Sequence, residues 1–112
     1  MNIVPGSWPK RGSKYKNQAT EVAGIKFDSK HEASRYRMLK ILETAEKISD
    51  LKLQVRYKLD VNGYHICDYI ADFTYKDEGL LIVEDAKGYK TDIYSLKKKL
   101  MLACYGIAIK ET

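Results

Sequence analysis

The sequence contains few of the residues that cross-link or rigidify a chain. Its 112 residues include two prolines, two cysteines and one tryptophan. Cys67 and Cys104 are far apart and lack metal-ligand spacing, which excludes a zinc site built on cysteine pairs and predicts reduced thiols in a cytoplasmic protein. No apolar run approaches the roughly 20 residues of a membrane helix, and no signal-peptide pattern follows Met1. We therefore expect no membrane partner and no small-molecule cofactor.

Acidic residues are absent before Glu21, whereas basic residues are frequent there. The cations of this stretch are Lys10, Arg11, Lys14 and Lys16. Because prolines and glycines also interrupt it, residues 1–17 are predicted to form a flexible basic arm, and residues 18–112 a single domain. The net charge of +5 favours a polyanionic partner such as DNA. The arm either grips phosphates or only aids solubility.

Helix signals occur twice. Ser29 followed by Glu32 forms a capping box, and apolar residues then recur at helical spacing to about residue 46. Glu32 shares a strip of this helix with Tyr36 and Leu39, which directs it towards the sheet. A second helix is predicted over residues 93–105, with Ile93, Leu96 and Leu100 on its inner face and Gly106 as its stop.

Strand signals fill the space between the helices. Residues 51–61 alternate apolar and polar side chains, and Asn62-Gly63 predicts a tight hairpin to a second strand over residues 64–75. Further strands are predicted over residues 80–88, 107–109 and, before the first helix, 25–27. The core order α-β-β-β-α-β predicts an α/β fold, with helices packed on a mixed sheet.

The strand over residues 80–88 joins an apolar run to charged residues. Leu80 to Val83 lack polar alternation, which predicts burial on both faces, yet Glu84, Asp85 and Lys87 follow at once. Charged groups at the end of a covered strand are costly to desolvate unless they pair with each other or bind a metal. We expect the chemistry of the protein at this point.

Strand register decides which acid faces Asp72. A two-residue turn at Glu78-Gly79 places Asp72 opposite Asp85, whereas a three-residue turn places it opposite Glu84. We favour Asp85, because residues two apart on a strand share a face and Asp85 therefore shares one with Lys87. Glu84 is then a second candidate ligand or a surface acid.

Asp72, followed after a turn by Asp85-Ala86-Lys87, resembles the signature of the PD-(D/E)xK, or restriction-endonuclease-like, nucleases. The predicted element order is similar to the core of that superfamily, although Ala71 stands where many members have proline. Residues 14–112 more closely resemble a small phage- and prophage-encoded family of this fold, whose members are described as proteins of unknown function.

The resemblance implies a metal-dependent endodeoxyribonuclease of structure-specific type that acts on junctions or branched DNA in phage recombination or DNA processing. It implies a homodimer in the host cytoplasm, and Mg²⁺ or Mn²⁺ as the cofactor, because carboxylate oxygens bind such cations. The alternative is a DNA-binding module that has the fold without cleavage.

The resemblance also assigns roles to residues. Glu32, Asp72 and Asp85 are implied as metal ligands, and Lys87 is implied to contact the scissile phosphate. Gln54 and Glu84 are candidates for orienting the substrate. Lys97 and Lys98 on the second helix either contact phosphates or form a solvated face.

Overall fold

The computed structural model describes residues 19–86 and 90–112. The predicted basic arm, with Lys10, Arg11, Lys14 and Lys16, lies outside the described residues, and so does Lys87. The roles predicted for them stay predictions.

The described chain begins with a small hairpin that leads into the first helix. Strands β1 (Thr20–Val22) and β2 (Ile25–Phe27) pair antiparallel, and β1 was not predicted. Helix α1 (Lys30–Thr44) follows, and Ser29 is its N-cap, accepting a hydrogen bond from the Glu32 backbone N–H. The predicted cap is therefore confirmed. The Glu32 carboxylate, however, reaches the Asp28 backbone and the side chain of Gln54.

Two tight hairpins build the main sheet. Strands β3 (Ser49–Val61) and β4 (Tyr64–Asp77) are joined at Asn62-Gly63, as predicted. Strand β5 (Leu80–Asp85) follows the turn at Glu78-Gly79 and pairs antiparallel with β4. In both turns the two central residues have positive φ, which is the conformation of a type I′ turn.

The remaining elements complete a mixed four-stranded sheet. Helix α2 (Asp92–Tyr105) begins after the N-cap Thr91 and ends at Gly106, whose φ of 70° is that of a left-handed C-cap. Strand β6 (Lys110–Glu111) then pairs parallel with β5, giving the order β3-β4-β5-β6. The predicted final strand over residues 107–109 was three residues too early. The α/β class, two helices and a mixed sheet are confirmed.

Two buried clusters lie on opposite faces of β5. Ile82 packs with the first cluster, which contains Tyr36 and Leu39 of α1, whereas Val83 belongs to the second, with Met101 of α2. Since neighbouring residues of a strand point to opposite faces, α1 and α2 cover different faces of the sheet at this point.

Several predicted core positions were wrong. Leu80 and Leu81 are 69% and 51% exposed, so the start of β5 is not covered on both faces. On α2, Ile93 and Leu96 are exposed, because Tyr94 and Met101, seven residues apart, form the buried stripe. A stripe displaced by one residue rotates the helix by about 100° relative to the expected face.

Strand β3 contributes to both clusters. Its odd-numbered residues from 51 to 59 are less exposed than their neighbours; Leu53 packs with the first cluster and Tyr57 with the second. Between them Gln54 has φ of 54°, in the left-handed region that residues other than glycine and asparagine seldom adopt. Strained backbone in mid-strand is concentrated at functional sites, which directs attention to Gln54 and its neighbours.

Among the described residues, neither helix has the length and apolar content to cross a bilayer.

Candidate functional site

The site lies where three neighbouring strands carry polar residues in one row. Leu53 pairs with Phe73, so the next residue of β3, Gln54, lies opposite Asp72 of β4. Phe73 also pairs with Glu84, so Asp72 in turn lies opposite Asp85 of β5. The two-residue turn at the far end of β4 sets this register. The row therefore joins Gln54, Asp72 and Asp85.

Glu32 approaches this row from the first turn of α1. Its side chain is nearly buried, and Glu32 Oε2 accepts a hydrogen bond of 3.1 Å from Gln54 Nε2. The Glu32 and Asp72 carboxyl groups lie within hydrogen-bonding reach of each other. Burial raises the pKa of Glu32, and the negative charges of Asp28 and Asp85 raise it further. Glu32, Asp72 and Asp85 thus influence one another across three elements.

Each of the two strand carboxylates has a specific donor. Asp72 Oδ2 accepts the backbone N–H of Ala86 at 2.9 Å, which ties the end of β5 to the middle of β4. Asp85 Oδ2 accepts the hydroxyl of Tyr69 at 2.6 Å, and Asp85 is 1% exposed. Burial, followed by this hydrogen bond, raises the pKa of Tyr69, so the phenol remains a donor. Tyr69 was not among the predicted site residues, because its spacing from Asp72 in the sequence indicated no shared role.

Glu84 belongs to a different group of side chains. It is fully buried and forms an ion pair with Arg35 of α1; Arg35 Nη2 donates to Glu84 Oε1 over 3.0 Å. Tyr75 and Thr112 donate further hydrogen bonds to it. Burial alone would raise the pKa of Glu84, but the hydrogen bonds from Arg35, Tyr75 and Thr112 hold it below its usual value. The prediction of Glu84 as a surface acid is wrong; Glu84 anchors α1 to β5.

One of the two cations predicted on α2, Lys98, lies beside Glu111. Lys97 and Lys98 are both half-buried, and Lys98 Nζ lies 3.3 Å from Glu111 Oε2 on β6. Glu111 also accepts the hydroxyl of Tyr94 at 2.7 Å, and β6 places Glu111 next to Asp85. Lys98 is therefore engaged by an acid of the neighbouring strand. Arg35, Tyr94 and Glu111 are further residues around the site that the sequence analysis did not identify.

The donor chemistry suits a hard divalent cation, because carboxylate oxygens are the preferred ligands of Mg²⁺ and Mn²⁺. In the described residues, however, no three His, Cys, Asp or Glu side chains are arranged to hold a metal ion. Glu32 is held by Gln54, and Asp85 by Tyr69, in hydrogen bonds that a cation would replace or reorient. The three acids thus have the kind of side chain that such a cation prefers. Their side chains would have to rotate to surround it.

Comparison with known proteins gives one match. Neither the curated proteins nor the solved structures contain a match to the chain. The family model described as "Protein of unknown function (DUF1064)" matches residues 12–110, which is nearly the whole chain. The protein therefore belongs to this family of unknown function.

Proposed function

We propose that the protein is a metal-dependent endodeoxyribonuclease with a restriction-endonuclease-like core, and that Glu32, Asp72 and Asp85 hold Mg²⁺ or Mn²⁺. The observation that carries the proposal is the approach of these three carboxylates to one another from the first turn of α1, the middle of β4 and the last residue of β5. The order of helices and strands and the net charge of +5 also suit a nuclease acting on DNA.

The distribution of charge supports a functional rather than a structural role for this group. A buried carboxylate that serves only the fold is normally matched by a cation, as Glu84 is by Arg35. Glu32 instead faces Asp72, with Asp28 and Asp85 near enough to raise its pKa. Mutual repulsion among acids is costly, and a bound divalent cation relieves it.

Each residue then has a role in phosphodiester hydrolysis. A divalent cation bound to the three acids would neutralise charge on the phosphate and make water more acidic. Gln54 positions Glu32 through its amide, and Tyr69 positions Asp85 through its hydroxyl. Lys87, two residues after Asp85 in the sequence, is assigned to the scissile phosphate by the resemblance. The basic arm and Lys97 are candidate contacts for flanking phosphates.

The test measures cleavage of supercoiled plasmid and of a four-way junction with Mg²⁺ or Mn²⁺. Asp72→Asn keeps an acceptor for the Ala86 N–H, and we expect it to reduce cleavage by about 10²-fold or more, as we do for Lys87→Ala. The matched controls are Asp77→Asn and Lys76→Ala, exposed residues at the other end of β4 that should cleave like the wild type.

A direct readout of the cation comes from Mn²⁺ titration followed by electron paramagnetic resonance. The wild type should bind Mn²⁺ more tightly than Asp72→Asn does. Junction binding without cleavage, identical in all variants, would instead identify the non-catalytic DNA-binding module. The homodimer, the phage origin and the cytoplasmic location stay predictions.

A further inference from the structure

A pocket of about 180 Å³ opens beside Glu32 and Gln54. Its walls are formed by β2 (Ile25–Phe27), by Asp28 and by Leu53 of β3. Drug-sized ligands occupy pockets of roughly 300 Å³ or more, so this pocket suits a smaller group, such as one planar ring system. Because Glu32 lines it and is also one of the three converging acids, any occupant lies next to the candidate site.

The lining of the pocket selects against a phosphate. Ile25, Phe27 and Leu53 provide apolar surface, and two carboxylates, Asp28 and Glu32, face the same space as the Lys26 side chain. Two acids against one lysine repel an anion, whereas carboxylate oxygens accept hydrogen bonds from amino groups. A lining that combines apolar side chains with hydrogen-bond acceptors is the environment in which proteins hold an extruded base.

We propose that this pocket receives one unpaired nucleobase of the DNA strand whose phosphate lies at Glu32, Asp72 and Asp85. The inference rests on the proposed nuclease function and names its substrate class: DNA with an unpaired nucleotide next to the cut. A base inside a duplex cannot enter, so cleavage is directed to bulges, flaps and junctions. Asp28 accepts from an exocyclic amino group, which cytosine, adenine and guanine carry and thymine lacks.

The first test uses duplexes with a single-nucleotide bulge, either cytosine or thymine, at one position. We expect the wild type to cut the cytosine bulge about tenfold faster, the ratio given by one hydrogen bond to a charged group, and to cut the unbulged duplex least. In Asp28→Asn the ratio of cytosine to thymine cleavage should fall towards one. The matched control is Asp50→Asn, an exposed acid of β3 outside the pocket, which should keep the wild-type ratio.

The second test needs no cleavage. Deoxycytidine, a neutral nucleoside, is titrated into the ¹⁵N-labelled full chain without metal, and the amide shifts of Ile25, Phe27 and Leu53 are followed. We expect saturable shifts that are larger than those with thymidine and that are lost in Leu53→Trp, whose indole fills the pocket. The amide shifts of Leu53→Trp without nucleoside establish whether this variant is folded. If it is unfolded, Asp28→Asn, which does not change the volume of the pocket, takes its place in the titration.

The outcomes separate the two proposals. Equal cutting of both bulges and of plain duplex, with no nucleoside-dependent shifts, overturns the proposal that the pocket binds a base. It leaves the proposed nuclease function unaffected. If no substrate is cleaved, the proposed nuclease function is overturned. The nucleoside titration then tests base binding in the pocket by itself: saturable shifts support it, and their absence overturns it.

Discussion

Gln54 donates its amide hydrogen bond to Glu32 from a backbone conformation that few glutamines adopt. The positive φ at Gln54 lies between Leu53, which packs with the first cluster, and Tyr57, which packs with the second. From this conformation the Gln54 amide reaches the buried carboxylate of Glu32. Gln54 therefore combines an unfavourable backbone conformation with a hydrogen bond to one of the candidate metal ligands.

Replacing the amide by an acid should weaken the fold. Gln54→Glu keeps the size of the side chain but sets a carboxylate against Glu32, so we expect the free energy of unfolding to fall by about 1–3 kcal/mol at pH 7. Gln54→Met is the matched control, since it has the same backbone strain and no charge. It should lose less stability than Gln54→Glu. Urea unfolding in EDTA, followed by circular dichroism, measures both; equal losses would show that the added carboxylate does not repel Glu32.

The ion pair between Arg35 and Glu84 should matter far more than an exposed pair on the same helix. Arg35→Met leaves the fully buried Glu84 without its cation, and breaking a buried pair in this way costs about 3–5 kcal/mol. Lys40→Met breaks the exposed pair with Glu43, and it should cost far less stability, because water already screens that pair. Chemical denaturation compares the two variants directly. Similar losses would mean that Glu84 rearranges to water when Arg35 is absent.

Local signals in the sequence were sufficient for the turns and caps. Asn62-Gly63, Ser29 and Gly106 all have the predicted roles, because each depends only on the conformational preferences of a few adjacent residues. The sequence left the turn before β5 at two or three residues, and Asp85 was favoured as the partner of Asp72 because it shares a face with Lys87; the two-residue turn agrees with that choice. These local rules established the α/β order and the row of polar residues in the candidate site.

Burial depended on partners distant in sequence, which no local pattern contains. Glu84 is buried because Arg35, 49 residues earlier, neutralises it, while the more apolar Leu80 has no element above it in the described chain and is exposed. The strict alternation in β3 gave no sign of the positive φ at Gln54, since that pattern depends only on which side chains are exposed. Tyr69 became part of the site only through the same long-range packing.

A substitution at Glu78, in the turn between β4 and β5, should stabilise the fold. Glu78 has φ of 53° at the position that Asn62 occupies in the other turn, and a left-handed conformation costs most residues about 1–2 kcal/mol. Asparagine tolerates this conformation, so Glu78→Asn should raise the free energy of unfolding by up to about 1 kcal/mol. The reverse change, Asn62→Glu, should lower it by a similar amount. Thermal unfolding of both variants provides the comparison, and opposite shifts in Tm are expected.

Glu111 should make stability depend on pH in the acid range. Hydrogen bonds from Tyr94, Lys90 and Lys98 lower the pKa of Glu111 from 4.5 to about 2. A carboxyl whose folded pKa is depressed stabilises the fold fully above its unfolded pKa, and this contribution is lost as the pH falls through the folded pKa. The stability difference between wild type and Glu111→Gln should therefore be constant above pH 4.5 and shrink between pH 4.5 and 2.

Urea unfolding of both proteins at a series of pH values, down to the lowest at which both are folded, measures this difference. Glutamine keeps an acceptor for the Tyr94 hydroxyl, so the comparison isolates the charge. The control is Glu46→Gln, an exposed acid after α1, whose difference from the wild type should stay within about 0.5 kcal/mol throughout. A difference for Glu111→Gln that is independent of pH would mean that Tyr94, Lys90 and Lys98 do not stabilise the charge of Glu111 in the folded state.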